Sequence, residues 1–169
     1  LVAVLCSCVQ HNDTEIAKVA LPFWEDLKYY LVDRVRRFEA IDDGTRISEV
    51  SQGWRNTFSR YALQVFDSCF DHVFKILEDV DGNEHEDEDT LHDFGECIKA
   101  CSLFLGWEAC LQRGFESLKR AAQSVAGDDT NSTTLRALRI QSVLRCIYYV
   151  LKAGKRKQIV AQGASLQEL

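Results

Sequence analysis

The sequence predicts an all-α fold, six helices set as antiparallel pairs that stack into an α-solenoid. Three observations predict it. Apolar residues recur at i, i+3, i+4 spacing along nearly the whole chain, and no segment alternates with the period of a strand. Several helical segments carry apolar residues on more than one face. A pair packed against neighbours on both sides needs that, whereas a closed bundle needs one buried stripe per helix. The opening segment "LVAVLCSCV" is an apolar helix without a capping residue.

The elements follow in order. The first helix ends at "HND", a link of about three residues, so its successor is predicted to be an antiparallel neighbour. Asp13 or Thr14 caps the second helix, whose stripe is Ile16, Ala20, Phe23, Trp24, Leu27 and Leu31, with Ala17 and Leu21 beside it. "RRFEAIDDGTRISEVSQG" reads as a polar linker. The third helix begins near Trp54 and aligns Phe58, Tyr61, Val65, Cys69, Val73 and Ile76, with Ala62, Phe66, Phe70 and Leu77 on a second face. "EDVDGNEHEDEDT" reads as a dense acidic loop. The fourth helix aligns Leu91, Phe94, Ile98, Cys101 and Leu105. Gly106 alone separates it from the fifth, which aligns Trp107, Leu111, Phe115, Leu118, Ala122 and Val125. After the polar turn "AGDDTNST" the sixth runs from about Thr134 to Lys152, with Ile140, Val143, Leu144, Ile147, Val150 and Leu151 on a wide apolar face. The pairs are therefore expected at 1–33, 53–106 and 107–153, with 154–169 a tail or the start of a further repeat.

The only proline, Pro22, lies inside the second helix. It removes one backbone donor and bends the helix near Lys18, or is merely tolerated; either way it serves packing and is not a site. The formal net charge of −6 argues against nucleic-acid binding, which is driven by phosphate neutralisation, and suits basic partners. No apolar run is long enough for a membrane span. The seven cysteines are odd in number and mostly sit in apolar patterns. They read as small buried hydrophobes in a reducing, intracellular compartment. A chain that begins at Leu1 and holds no methionine reads as an internal piece of a longer protein.

Little here carries catalytic chemistry. None of His11, His72, His85 and His92 is placed beside a cysteine, and there is no Gly-rich phosphate loop, G-x-S-x-G or H-E-x-x-H. Neither an enzyme nor a cofactor is expected. Asp79, Asp81 and Asn83 match the first positions of a calcium loop, but Glu84 stands where glycine is needed and Thr90 where the bidentate glutamate is needed. Two readings of this acidic stretch are open. It is a solvated loop, or Glu84, Glu86, Asp87, Glu88 and Asp89 meet a basic partner by charge complementarity. Cys6 with Cys8, and Cys97 with Cys101 near His92, lack the spacing of a four-ligand zinc site, so core packing is expected. Lys152, Lys155, Arg156 and Lys157 suit a helix C-terminus; a localisation signal or an RNA contact is the other reading.

With these residues in view, a resemblance can be stated. "C-x-x-H-x-D" followed by "EIAKVALPFWEDLKYYL" resembles a HEAT repeat of the importin-β superfamily of nuclear transport receptors, transportin-SR-like members in particular. Glu15, Ile16, Phe23, Trp24 and Leu27 carry the motif, and Pro22, Phe23 and Trp24 form its structural centre. "DFGECIKACSLFLGWEACLQRGFESLKRAA" and "LRIQSVLRCIYYVLKA" resemble the family's following helix pairs. The resemblance implies a receptor segment that binds protein cargo, basic or Arg-rich in character, is regulated by the GTPase Ran, contacts nuclear pore proteins and shuttles between nucleus and cytoplasm. A HEAT-repeat or helical scaffold subunit of another intracellular complex is the alternative.

Overall fold

The computed structural model describes the backbone of residues 1–39, 45–78, 84–123 and 130–154; side chains at 28–52, 54, 55, 84–87 and 130–132 lie outside the description. Six α-helices occupy it: α1 Val2–Val9, α2 Thr14–Glu39, α3 Thr45–Glu78, α4 Glu84–Leu105, α5 Trp107–Gln123 and α6 Thr130–Ala153. Among the described residues there is no strand. The all-helical expectation therefore holds.

Two expected loops are helical instead. The polar linker is helix on both sides of residues 40–44, because α2 continues to Glu39 and α3 begins at Thr45. Gly53 stands inside α3, where a glycine costs only about 1 kcal/mol. The space beside Gly53 is open, and Thr57 Oγ1 donates to its carbonyl at 2.9 Å. The second correction concerns the acidic stretch. Glu84 to Asp89 form the opening turns of α4, where carboxylates complement the positive end of the helix dipole. Asp79, Asp81 and Asn83 lie outside the described residues, as do Lys155, Arg156 and Lys157 and the tail from 155 to 169.

Local chemistry explains the joints. Asp13 caps α2: its Oδ1 accepts the Glu15 N–H at 2.9 Å and its carbonyl accepts the Ala17 N–H at 3.1 Å. Leu1 offers α1 no side-chain cap, in keeping with the sequence. Gly106, at φ +86°, is the single non-helical residue between α4 and α5. That left-handed backbone favours glycine and lets α5 start at once. Pro22 is exposed inside α2, and the carbonyl of Lys18 has no N–H at position 22 to accept.

Contacts run between successive helix pairs. Helices α1 and α2 touch, as do α3 and α4, and α5 and α6. Across pairs, α2 packs on α4 and α4 on α6, so α4 lies at the centre. Among the described residues neither α1 nor α2 touches α5 or α6. The first pair meets α3 through α1 and α2; α3 packs closely on α6, while α5 reaches it through the side-chain pair Arg113–Asp67.

The core is built from Trp24, Leu21, Phe66, Phe94, Ile98 and Val150, all fully buried. Each large side chain of this kind contributes about 1.5–3 kcal/mol by leaving water. Six of the seven cysteines are buried with them, Cys8 is half-buried, and all seven are free thiols. On α2 the predicted stripe holds at Ala20, Trp24 and Leu27, with Ala17 and Leu21 buried beside it, and of its described members only Ile16 is exposed. One predicted stripe is rotated. On α5 the buried face is Cys110, Gly114 and Ala121, while Phe115 and Ala122 are exposed. The reason is close approach: a Cβ on Gly114 would stand 2.8 Å from Ile147 of α6, so α5 turns its small face inward. Leu31, Trp54 and Val125, expected in their stripes, are not among the described side chains.

Candidate functional site

The structure opens one groove that sequence patterns do not announce. The backbones of α3 and α5 do not pack closely, and a cavity of about 490 Å³ lies between α3, α5 and α6. From α3 come Phe66, Phe70 and Phe74, at i, i+4, i+8 spacing, with Asp67 and Asp71 beside them. From α5 come Arg113, Ser117, Arg120 and Ala121, and from α6 Arg139, Ser142 and Val143. Phe66 and Val143 are buried, Phe70 and Phe74 half-buried, so the floor is apolar and partly open. Phe66 and Phe70 tilt together with centroids 4.9 Å apart.

The groove's charges divide into a committed pair and a free set. Arg113 grips Asp67 as a fork, Nε to Oδ1 and Nη2 to Oδ2, both at 2.6 Å. The Asp67 hydrogen bonds hold the Arg113 guanidinium above its ordinary value. Arg120 donates to Ser117 Oγ at 3.1 Å and to the Glu116 carbonyl at 3.5 Å. Arg139 lies over the Phe74 ring, its Cζ 4.9 Å from the centroid. Neither Arg120 nor Arg139 is ion-paired to a carboxylate among the described residues, and Asp71 is exposed. Arg136, one turn before Arg139, donates to the Ala122 carbonyl.

The residues singled out from sequence lie elsewhere. Trp24 is fully buried, with Phe23 edge-on to it at 5.5 Å and 85°, so this pair belongs to the packing of α2. The Trp24 indole N–H has no hydrogen-bond partner among the described residues, an omission that costs about 1–3 kcal/mol. In the acidic stretch the side chains of Glu84, Glu86 and Asp87 lie outside the description, and Asp89 is exposed. Glu88 does meet a basic group, but one of its own chain: Arg145 Nη2 of α6 reaches its two oxygens at 2.9 and 3.0 Å. Such an exposed pair is worth about 0–1 kcal/mol.

Cys97 and Cys101 of α4 form a buried cluster with Cys69 of α3. Hydrogen bonds from Cys101 and then Cys69 draw the Cys97 thiol down relative to its partners, while burial pushes Cys69 up. Burial also pushes Cys110 up to about 11. No grouping of three or more His, Cys, Asp or Glu side chains among the described residues has the geometry to hold a metal ion. No helix among the described residues is long and apolar enough to cross a membrane.

Comparison with protein-family models, with curated proteins and with solved structures finds no match to this chain. The functional reading therefore rests on the residues themselves and on the resemblance they carry.

Proposed function

We propose that this chain is part of an importin-β-type nuclear transport receptor, a stretch of HEAT-like helix pairs that stacks into a longer α-solenoid, binds protein cargo and is regulated by Ran. The observation that carries the stacked arrangement is the placement of uncovered apolar side chains at both ends. On α6, Leu144, Tyr148 and Leu151 lie at i, i+4, i+7 with 50%, 53% and 37% of their surface exposed. At the opposite pair, Val4 of α1 and Val19 of α2 are 63% and 79% exposed. A closed six-helix domain turns such stripes inward, whereas one unit of an array leaves them for its neighbours. The lack of contact between the first and third pairs supports the same reading.

The transport role is supported by the Phe23–Trp24 motif and the order of the paired helices, which resemble that family. In this reading the chain's chemistry is recognition alone, its partners are cargo, Ran and nuclear pore proteins, and the receptor moves between nucleus and cytoplasm. Carboxylates at the start of α4, exposed Asp89 among them, would face a basic cargo segment, while Glu88 is held by Arg145. The test is a pulldown with the full-length protein that contains this chain, with and without Ran held in its GTP form. Binding of Ran-GTP with a change in cargo retention is the expected outcome. No binding at low salt would sink the transport reading and leave a helical scaffold of another complex.

A further inference from the structure

We propose that the groove between α3, α5 and α6 is a docking site for an acidic segment of a partner protein, whose carboxylates meet Arg120 and Arg139 and whose apolar side chains enter the cavity over Phe66, Phe70 and Phe74. Charge is the first argument. The chain as a whole carries −6, yet on this face Arg120 and Arg139 have no carboxylate partner among the described residues. The tight ion pair in the groove, Arg113 with Asp67, cancels itself, and Arg120 and Arg139 outnumber the remaining carboxylate, Asp71. A negatively charged segment is steered here and repelled by the acidic remainder of the surface.

Preorganisation is the second argument. Arg120 is held by Ser117 and by the Glu116 carbonyl, and Arg139 by the face of Phe74. A planar guanidinium fixed in this way loses less freedom when it takes a carboxylate in two parallel hydrogen bonds. The third argument is space. The cavity of about 490 Å³ has a partly open aromatic floor, suited to side chains and larger than an isolated anion requires. Exposed Asp71 disfavours a carboxylate at its own position, so the acidic groups of the segment are confined to the Arg120 and Arg139 side. Nucleic acid is a poorer occupant: two uncommitted guanidiniums neutralise few phosphates, and the net charge opposes the rest.

This inference stands on the groove and not on the transport reading, so Ran binding and groove binding fail or succeed separately. The experiment is fluorescence anisotropy with a labelled Glu-rich peptide that carries leucines at helical spacing, alongside its Lys-for-Glu counterpart, an RNA oligonucleotide and inorganic phosphate. Saturable binding of the acidic peptide is expected, weakened about tenfold or more by Arg120→Glu with Arg139→Glu. Circular dichroism reports whether that double variant folds. If it does not, Arg120→Gln with Arg139→Gln is read in its place, and a smaller loss of the same sign is expected. Equal binding of the Lys peptide, or unchanged affinity in the folded variant, overturns the proposal. So does tighter binding of the RNA, or displacement of the peptide by inorganic phosphate, which would make this a small-anion site only.

Discussion

His72 ties four helices through one ring. It is 3% exposed on α3, stacks on Phe94 of α4 at 4.9 Å, and sets Nε2 2.9 Å from the Val9 carbonyl at the end of α1. Its Nδ1 lies 3.4 Å from Thr14 Oγ1 at the start of α2. The neutral ring fits both, with Nε2–H donating and Nδ1 accepting. Burial lowers its pKa, and nearby Lys75 adds to that, against the pull of the Val9 carbonyl and Asp71. Above the ordinary value of about 6.5 the ring is neutral folded and unfolded, so the full stability is present. As pH falls below that value the unfolded chain takes up a proton that the folded chain resists. Stability drops until the lowered folded pKa is reached, and then levels. Thermal melts between about pH 7.5 and about pH 5 should show the midpoint falling, with a shallower slope in His72→Gln. An identical slope in the variant would place the titration elsewhere. The histidine is plain in the sequence, but its three partners lie between 22 and 63 positions away, beyond any local pattern.

At the scale of the elements, glycine decides how closely α4 and α6 approach. The Tyr149 ring lies where a Cβ on Gly95 would be, 2.2 Å from Cζ and 2.5 Å or less from its two flanking carbons. Tyr149 is 9% exposed and its hydroxyl faces His92 Nδ1 at 3.4 Å, so the ring has little room to move. Gly95→Ala gains about 1 kcal/mol of helix propensity but overpacks the interface by about 1–3 kcal/mol. A net loss is expected, read as a lower urea midpoint; a raised midpoint would show that α6 can slide. The same principle turned α5. Periodicity put Phe115 inside, because aromatic rings are usual core residues, but Gly114 and Cys110 allow a tighter seat against Ile147. The start of α3 and of α4 lies earlier than loop chemistry suggests. Gly53 and the acidic run look like loop chemistry, yet an exposed glycine is only a modest penalty and carboxylates favour a helix start.

At the scale of the whole molecule, the described residues share one core to which all six helices contribute, and apolar side chains stand exposed on α6 and on α1 and α2. Leu144 and Leu151 face outward from α6, so Leu144→Gln with Leu151→Gln should change the stability of this chain by no more than about 0.5 kcal/mol per site. Self-association, followed by analytical ultracentrifugation, should fall in the same variant. A large loss of stability without any change in association would mean that these leucines are covered within the chain, and the stacked-array reading would lose its main support.

What the sequence determined by itself was the helical class, the six helices of the described residues, the Gly106 joint, a cap at Asp13 or Thr14, and the burial of most cysteines. These depend on spacing and on side-chain chemistry within a few residues, where the helix repeat, backbone φ and hydrogen-bonding groups act locally. Only the tertiary structure decided which face of α5 is buried, that α3 packs closely on α6, and that the groove between α3, α5 and α6 gathers three phenylalanines and three arginines. Those outcomes turn on how closely two helices approach. That distance is set by pairs such as Gly95 with Tyr149 and Gly114 with Ile147, which meet across the fold and leave no periodic mark in the chain.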